Sequence, residues 1–341
     1  MRRLDNPEFQ RLKSFCTHVG QDPLLVQGAG GNASWKSENV VWIKASGTWL
    51  AAASSQNIFL PIRRPSGLLD TIANNRSYKF DLLDPAYGRP SIETVLHCVL
   101  QQRFVLHVHA INPLALLIRE DAESVIAQRL VGKLPYVFVP YAKPGHELGR
   151  EVVSRLVAAD SSCNVLLLAN HGIVIAGETI DEINANLDQL CAACAPDRIY
   201  KPKLPPLPNS SLNIDDTDYD PVSARHLHAL ATDNRLFDLT TRHWALYPDH
   251  VVFLGPRAAV FESTDHARQC MDSAKAPFVF IRDSGVWQRR DATLAALAQL
   301  QCYYDVLIRL DEACSLASLT TRQIEELLDW DSEKHRQALN R

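Results

Sequence analysis

The chain has 341 residues, 46% of them hydrophobic and 22% charged, a balance that supports a sizeable buried core and excludes a disordered ground state. Its 35 Lys and Arg against 39 Asp and Glu leave a net charge of -4, which offers no general basic surface for nucleic acid. No apolar core follows the basic start MRRLDNPEFQRL and no stretch approaches the roughly 18 apolar residues of a membrane span, so a cytoplasmic protein without nucleic-acid or membrane partners is expected.

The length suits a core domain of about 200 residues with a smaller second unit. Pro7 to Gly20 reads as a helix, followed by the Gly-rich run QGAGGNASWK and the strand-like VVWIKASG. Ile92, Val95, Leu96, Val99 and Leu100 then keep the i, i+3, i+4, i+7, i+8 spacing of a core-facing helix, with Ser91 placed to cap it after Pro90. Strands are predicted over Phe104 to His109 and Asn164 to Ala169. Between them VFVPYAKPGHELGREVVSRLV reads as a strand, a Pro/Gly turn and a helix.

From Tyr200 to about Pro221 the sequence YKPKLPPLPNSSLNIDDTDYDP opposes both helix and interior strand. A linker over 201–221 therefore divides a domain at 1–200 from an extension at 222–341. In the extension HVVFLG and PFVFIRDSGVW are strand candidates, while TLAALAQLQCYYDVLIRLDEA and TTRQIEELLDWDSEKHRQAL read as helices, predicting a small α/β unit. The 8 cysteines lack the paired spacing of a disulfide scaffold. Cys191 and Cys194 form a lone CxxC in a helical run, without the second pair a zinc site needs, and read as reduced thiols.

In FVLHVH the period of two puts His107 and His109 on one face of a strand, where two imidazoles can meet one cation. His171, emerging in NHG directly after the apolar VLLLA, is a candidate third ligand, leaving coordination positions open for substrate oxygens or water. Glu93 sits at the start of the capped helix, where two roles stay open: a partner of the helix dipole, or a proton carrier beside the metal. Gly28, Gly30 and Gly31 precede Asn32 and Ser34 in a run able to turn tightly and expose amides to an anion. Lys44, Ser46, Gly47 and Ser91 add a cation, hydroxyls and an adaptable amide, each equally readable as a turn or cap residue.

Taken in order, GAGGNAS, IKASG, PSIETVLH, HVHAINP, PYAKPG and LLLANHG resemble the motif series of the class II aldolase/adducin family through about residues 10 to 200. The wording is closest to the aldolase part of bifunctional rhamnulose-phosphate aldolase/dehydrogenase proteins, whose dehydrogenase half has no counterpart here. The resemblance implies an α/β fold of three αβα layers, with a central, mainly antiparallel sheet flanked by helices, and a homotetramer. It implies His107, His109 and His171 as ligands of Zn2+, with Mn2+ or Fe2+ as alternatives, Glu93 as the acid/base carboxylate, and Asn32, Ser46, Gly47 and Ser91 at the phosphate of a sugar phosphate. Where the fuculose-phosphate enzyme has two serines before its glutamate, this chain has Ser91 then Ile92, one hydroxyl fewer. Tyr141 belongs to the motif series without an assigned role, and His97, one turn after Glu93, reads as a supporting residue and not a fourth ligand.

The implied activity is a metal-dependent aldolase that reversibly cleaves a phosphorylated ketose through a metal-stabilised enediolate. A sugar-phosphate 4-epimerase or decarboxylase would use the same site. A non-catalytic, adducin-like interaction module is the alternative of another class, and it has no need of three histidines and Glu93 together.

Overall fold

A computed structural model of the chain describes residues 6–76, 78–84, 88–159, 163–205 and 218–329. In chain order its first part holds α1 (Pro7–Gln21), β1 (Asn32–Ser37), β2 (Val40–Lys44), β3 (Phe59–Arg63), α2 (Leu68–Ala73) and α3 (Thr94–Val99). These are followed by β4 (Phe104–Val108), α4 (Ile111–Leu117), α5 (Ala122–Leu130), β5 (Val137–Val139), α6 (His146–Ala158), β6 (Val165–Leu168), β7 (Gly172–Gly177) and α7 (Ile180–Ala193). Local chemistry accounts for many of the boundaries. Asn6 caps α1 by accepting from the amides of Glu8 and Phe9, Pro7 sits where its missing N–H is no loss, and Thr179 caps α7 by accepting from Glu182.

The strands form a sheet in the order β3-β2-β1-β4-β7-β6-β5, antiparallel at every pairing except β5 with β6. Alternation along the strands sorts the side chains into two apolar layers. Phe104, Leu106, Val108, Ile173 and Ile175 pack with Phe9 and Leu12 of α1 and Ile183 and Leu187 of α7. Val105, Val174 and Ala176 pack on the opposite face with Leu68 of α2, Val95 of α3 and Val152 of α6. The three αβα layers follow, and the same alternation puts His107 on the α3 side of the sheet.

The last three residues of the expected linker form a strand, β8 (Tyr219–Pro221), and the extension contains α8 (Ala229–Thr232), α9 (Asn234–Arg242), α10 (Pro248–Leu254), β9 (Ala259–Phe261), α11 (Thr264–Ala274), β10 (Phe278–Ile281), β11 (Gly285–Arg289), α12 (Leu294–Leu307) and α13 (Thr321–Leu328). Together with β8 its strands form a second sheet, β8-β11-β10-β9, in which PFVFIRDSGVW, expected as one strand, folds back as the hairpin of β10 and β11. The extension shares a core with the first part: Ile111, Leu114, Ala115 and Ile118 from α4 and the residue that follows it pack among Leu230, Phe237, Val251, Leu300 and Tyr303. Asn170 ties the two together, donating to the carbonyls of Leu246 at 2.9 Å and Ala317 at 2.5 Å.

Two local expectations are corrected. HVVFLG is helical and forms most of α10, because Pro248 opens the helix, Asp249 lies in its positive first turn and Gly255, at φ 91°, ends it. Ser91 is not the N-cap of α3: Glu93 occupies that position, and the Ser91 hydroxyl accepts from the Glu93 amide at 3.3 Å in the preceding turn. Residues 206–217 of the expected linker and 330–339 of the expected last helix lie outside the described residues. All eight cysteines are unpaired, and burial pushes the thiols of Cys191 and Cys194 up to about 12, which makes them unreactive. Among the described residues no helix is long and apolar enough to cross a membrane.

His250 of α10 is fully buried between the rings of Trp244, Tyr303 and Tyr247, at centroid distances of 4.3, 4.8 and 5.4 Å. Neither of its nitrogens has a hydrogen-bond partner among the described residues, and burial lowers its pKa to about 3. The unfolded chain, with an ordinary histidine, binds the proton first as pH falls. The stability contribution of neutral His250 is therefore complete above about pH 6.5 and lost progressively towards pH 3. His250→Phe, which keeps a ring in the cage, is expected to fold with near wild-type stability at pH 7.5 and to lose about 1.5–2 kcal/mol less than wild type between pH 6.5 and 5. Urea unfolding at the two pH values measures this, and identical losses in both proteins would refute the assignment.

Candidate metal centre

His107 lies near the end of β4, opposite Asn32 of β1 and Val174 of β7, and His109 follows just beyond the strand. His171 comes from the turn between β6 and β7, which Asn170 makes possible by adopting a left-handed φ of 52°. Gly172 then lets β7 start hard against the first two histidines. A Cβ there would stand 2.7 Å from the Val108 carbonyl and 2.9 Å from Cδ2 of His109, closer than real Cβ contacts allow. The Asn-His-Gly tripeptide thus supplies the turn, the imidazole and the space for the other imidazole.

One ring nitrogen from each of His107, His109 and His171 falls within 4.8 Å of the others, and all three side chains are buried. The His107 Nδ1 hydrogen donates to the Ile173 carbonyl at 2.9 Å, which leaves its Nε2 lone pair facing inward, 3.1 Å from Nε2 of His109. Glu93 closes the group, with Oε2 3.3 Å from Nε2 of His107 and Oε1 3.0 Å from Nε2 of His171. Burial lowers the pKa of His107, and that of His109 to about 3, so these rings are neutral donors at pH 7. Burial opposes the charged form of Glu93. The imidazoles of His107 and His171 outweigh it and hold the carboxyl well below the usual range. Inward lone pairs at hydrogen-bond distance beside a carboxylate are a donor set that fits a divalent cation.

A buried chain of hydrogen bonds orients Glu93. Asn32 Nδ2 donates to Glu93 Oε2 at 2.8 Å, so its Oδ1 accepts from Nε2 of His97, whose Nδ1 in turn accepts from Ser34 Oγ at 2.8 Å. Both nitrogens of His97 are spent, which keeps it out of the ligand set. Burial holds this ring neutral. Asn32, Lys44, Ser46, Gly47, Ser91, Ile92, Glu93, His109 and His171 line one pocket. The loop after β2 enters it by two backbone bonds to the segment before α3, Ser46 N to Arg89 O and Ser91 N to Lys44 O. Lys44 is buried and its Nζ donates to the Ala29 carbonyl at 3.1 Å.

Pro248 and Asp249 of α10 also line this pocket, and Asp249 Oδ2 lies 3.5 Å from Nδ1 of His109. Neither is expected from the sequence: the Pro-Asp pair is a helix-start signal, but the β-branched residues that follow have the character of a strand.

A three-layer fold with histidines from a strand end and from an Asn-His-Gly turn around a buried glutamate defines an α/β protein whose three imidazoles could hold a metal ion. Residues 11–195, more than half of the chain, match the class II aldolase and adducin N-terminal domain, and the chain belongs to that family. It is 29% identical over 176 residues to the uncharacterized oxidoreductase YuxG of Bacillus subtilis (strain 168). That alignment covers 47% of this chain and 25% of the other, so the chain spans about a quarter of the length of this relative. Similar solved structures include the N-terminal class II aldolase domain of a conserved protein from Thermoplasma acidophilum, at 25% identity over 56% of this chain and 92% of that one, with a TM-score of 0.45. A sugar-phosphate aldolase from Thermotoga maritima is 16% identical over 55% and 91% of the two chains, with a TM-score of 0.44.

His109→Ala is expected to lose bound metal, measured by elemental analysis after equilibration with Zn2+, because one of three imidazoles is gone. His97→Ala should keep full metal while losing about 1–3 kcal/mol of stability, since Ser34 and Asn32 are left without their buried partner. Equal metal content in wild type and His109→Ala would contradict the ligand set.

Proposed function

We propose that the chain is a divalent-metal-dependent lyase that reversibly cleaves a phosphorylated ketose. His107, His109 and His171 hold the metal, Glu93 carries the proton, and Asn32, Ser46, Gly47 and Ser91 face the phosphate. The observation that carries this reading is the placement of Glu93: only 6% exposed, it makes no side-chain bond to the helix it caps and is turned onto two imidazoles instead. A helix-dipole partner would keep its carboxylate on the amides or in solvent.

A cation in this site supplies Lewis acidity towards the carbonyl and neighbouring hydroxyl oxygens of the sugar. In the cleavage direction the bond between the carbons α and β to the carbonyl breaks as the hydroxyl on the β carbon gives its proton to the Glu93 carboxylate and that carbon departs as the aldehyde. The electron pair stays on the α carbon, and Glu93 passes the proton on to it. Asn32, braced by His97, holds the carboxylate in place during this transfer. Lys44 places a positive charge in the pocket where Ser46, Gly47 and Ser91 bring hydroxyls and amides to an anion. We assign Zn2+ to the site on the strength of its three imidazoles, and a cytoplasmic homotetramer on the family resemblance.

Metal-loaded protein given a panel of ketose 1-phosphates, followed by 13C NMR, tests the reaction. The expected products are dihydroxyacetone phosphate and an aldehyde, with turnover abolished by chelator and restored by metal. Inversion of one carbon or loss of CO2 would instead assign an epimerase or a decarboxylase, and no change in any substrate would overturn the catalytic reading.

Glu93→Gln retains shape and hydrogen bonding but cannot exchange a proton near neutral pH. It should keep its fold and lower turnover by about 10²- to 10⁴-fold, with a smaller change in KM. A near wild-type rate at full metal content would sink the proton-transfer role.

A further inference from the structure

We propose that Asp249, carried by the extension, is a positioning residue of the metal centre: its carboxylate accepts the Nδ1 hydrogen of His109 and fixes the tautomer whose Nε2 lone pair faces the cation. The inference rests on the reading of His107, His109 and His171 as metal ligands. It concerns a residue beyond the 11–195 span of the family match.

Asp249 lies in the first turn of α10 and is 3% exposed. Its Oδ2 stands 3.5 Å from Nδ1 of His109, at the outer limit of hydrogen-bond distance, and that nitrogen has no hydrogen-bond partner among the described residues. The opposite nitrogen of that ring, Nε2, is 3.1 Å from Nε2 of His107. The neutral imidazole carries one proton. On Nε2 it would point at the cation position and leave the Nδ1 lone pair facing a buried carboxylate, two electron-rich groups opposed in a dry site. On Nδ1 it faces the carboxylate and frees Nε2 for the metal, and such carboxylate–histidine–metal relays orient the ligand and raise its basicity.

Three segments distant in sequence prepare this contact. Gln299 of α12, 1% exposed, donates to Asp249 Oδ2 at 3.4 Å. Asn170, next to His171, holds the Leu246 carbonyl three residues ahead of Asp249. At Gly30 a Cβ would come within 3.1 Å of Asp249 Oδ2 and 3.3 Å of His109 Nδ1, so a glycine there leaves both groups their space.

The test uses the full chain and Co2+ as the probe, with affinity read by chelator competition and coordination by the d–d absorption spectrum. Asp249→Asn offers His109 either a donor or an acceptor and no longer enforces one tautomer. It is expected to keep the wild-type circular dichroism while binding Co2+ about 10- to 100-fold more weakly, with an altered d–d band, a change a purely structural residue would not cause. Wild-type affinity and an unchanged band in a folded Asp249→Asn would overturn the proposal, whereas failure of wild type itself to bind Co2+ would overturn the metal reading beneath it. Should the variant not fold, a crystal structure of zinc-loaded wild type decides. Zinc on His109 Nε2 with Asp249 hydrogen-bonded to Nδ1 supports the proposal, and zinc on Nδ1, or Asp249 itself on the ion, refutes it.

Discussion

A carboxylate and three imidazoles are buried together where water cannot solvate them: Glu93, His107, His109 and His171 are all at most 6% exposed. Removing a carboxylate from water costs several kcal/mol unless close, well-aligned partners offset it. Each neighbour of Glu93 is placed to do so. Asn32 donates to one oxygen, His171 stands against the other, and His97 and Ser34 lock Asn32 in turn. The chain that solves the solvation problem is also the chain that aims the carboxylate.

Rigid backbone makes this arrangement possible. β1, β4 and β7 are interior strands of the sheet, paired on both sides, so Asn32, His107 and the end of the Asn-His-Gly turn are held by ladders of hydrogen bonds and not by loop conformations. The Ile173 carbonyl, itself part of β7, sets the proton of His107. The sheet therefore fixes both the position and the tautomer of a candidate ligand. The loops that bring Ser46, Gly47 and Ser91 to the same pocket are joined to each other by two backbone bonds, Ser46 N to Arg89 O and Ser91 N to Lys44 O.

The extension belongs to this picture physically. It buries Val251, Leu300 and Tyr303 against α4, takes the Asn170 amide beside His171 and sets Pro248 and Asp249 into the pocket wall. A site whose wall comes from two parts of the chain depends on the core between them as much as on its own hydrogen bonds.

The amino-acid sequence by itself determined the periodic elements of the first part, the shared face of His107 and His109, and the motif order that marks the family, because these are local patterns of spacing and side-chain type. It also singled out Glu93 and His171, but left Glu93 with two roles. Only the tertiary structure turns that carboxylate onto the imidazoles of His107 and His171, a contact between residues far apart in sequence. The same holds for α10, whose apolar run is compatible with strand or helix until its core is packed, and for Asp249, whose 140-residue separation from His109 leaves no trace in local pattern. Which side chains share a dry pocket is decided by how the sheet and helices close over them, and burial then sets their charge.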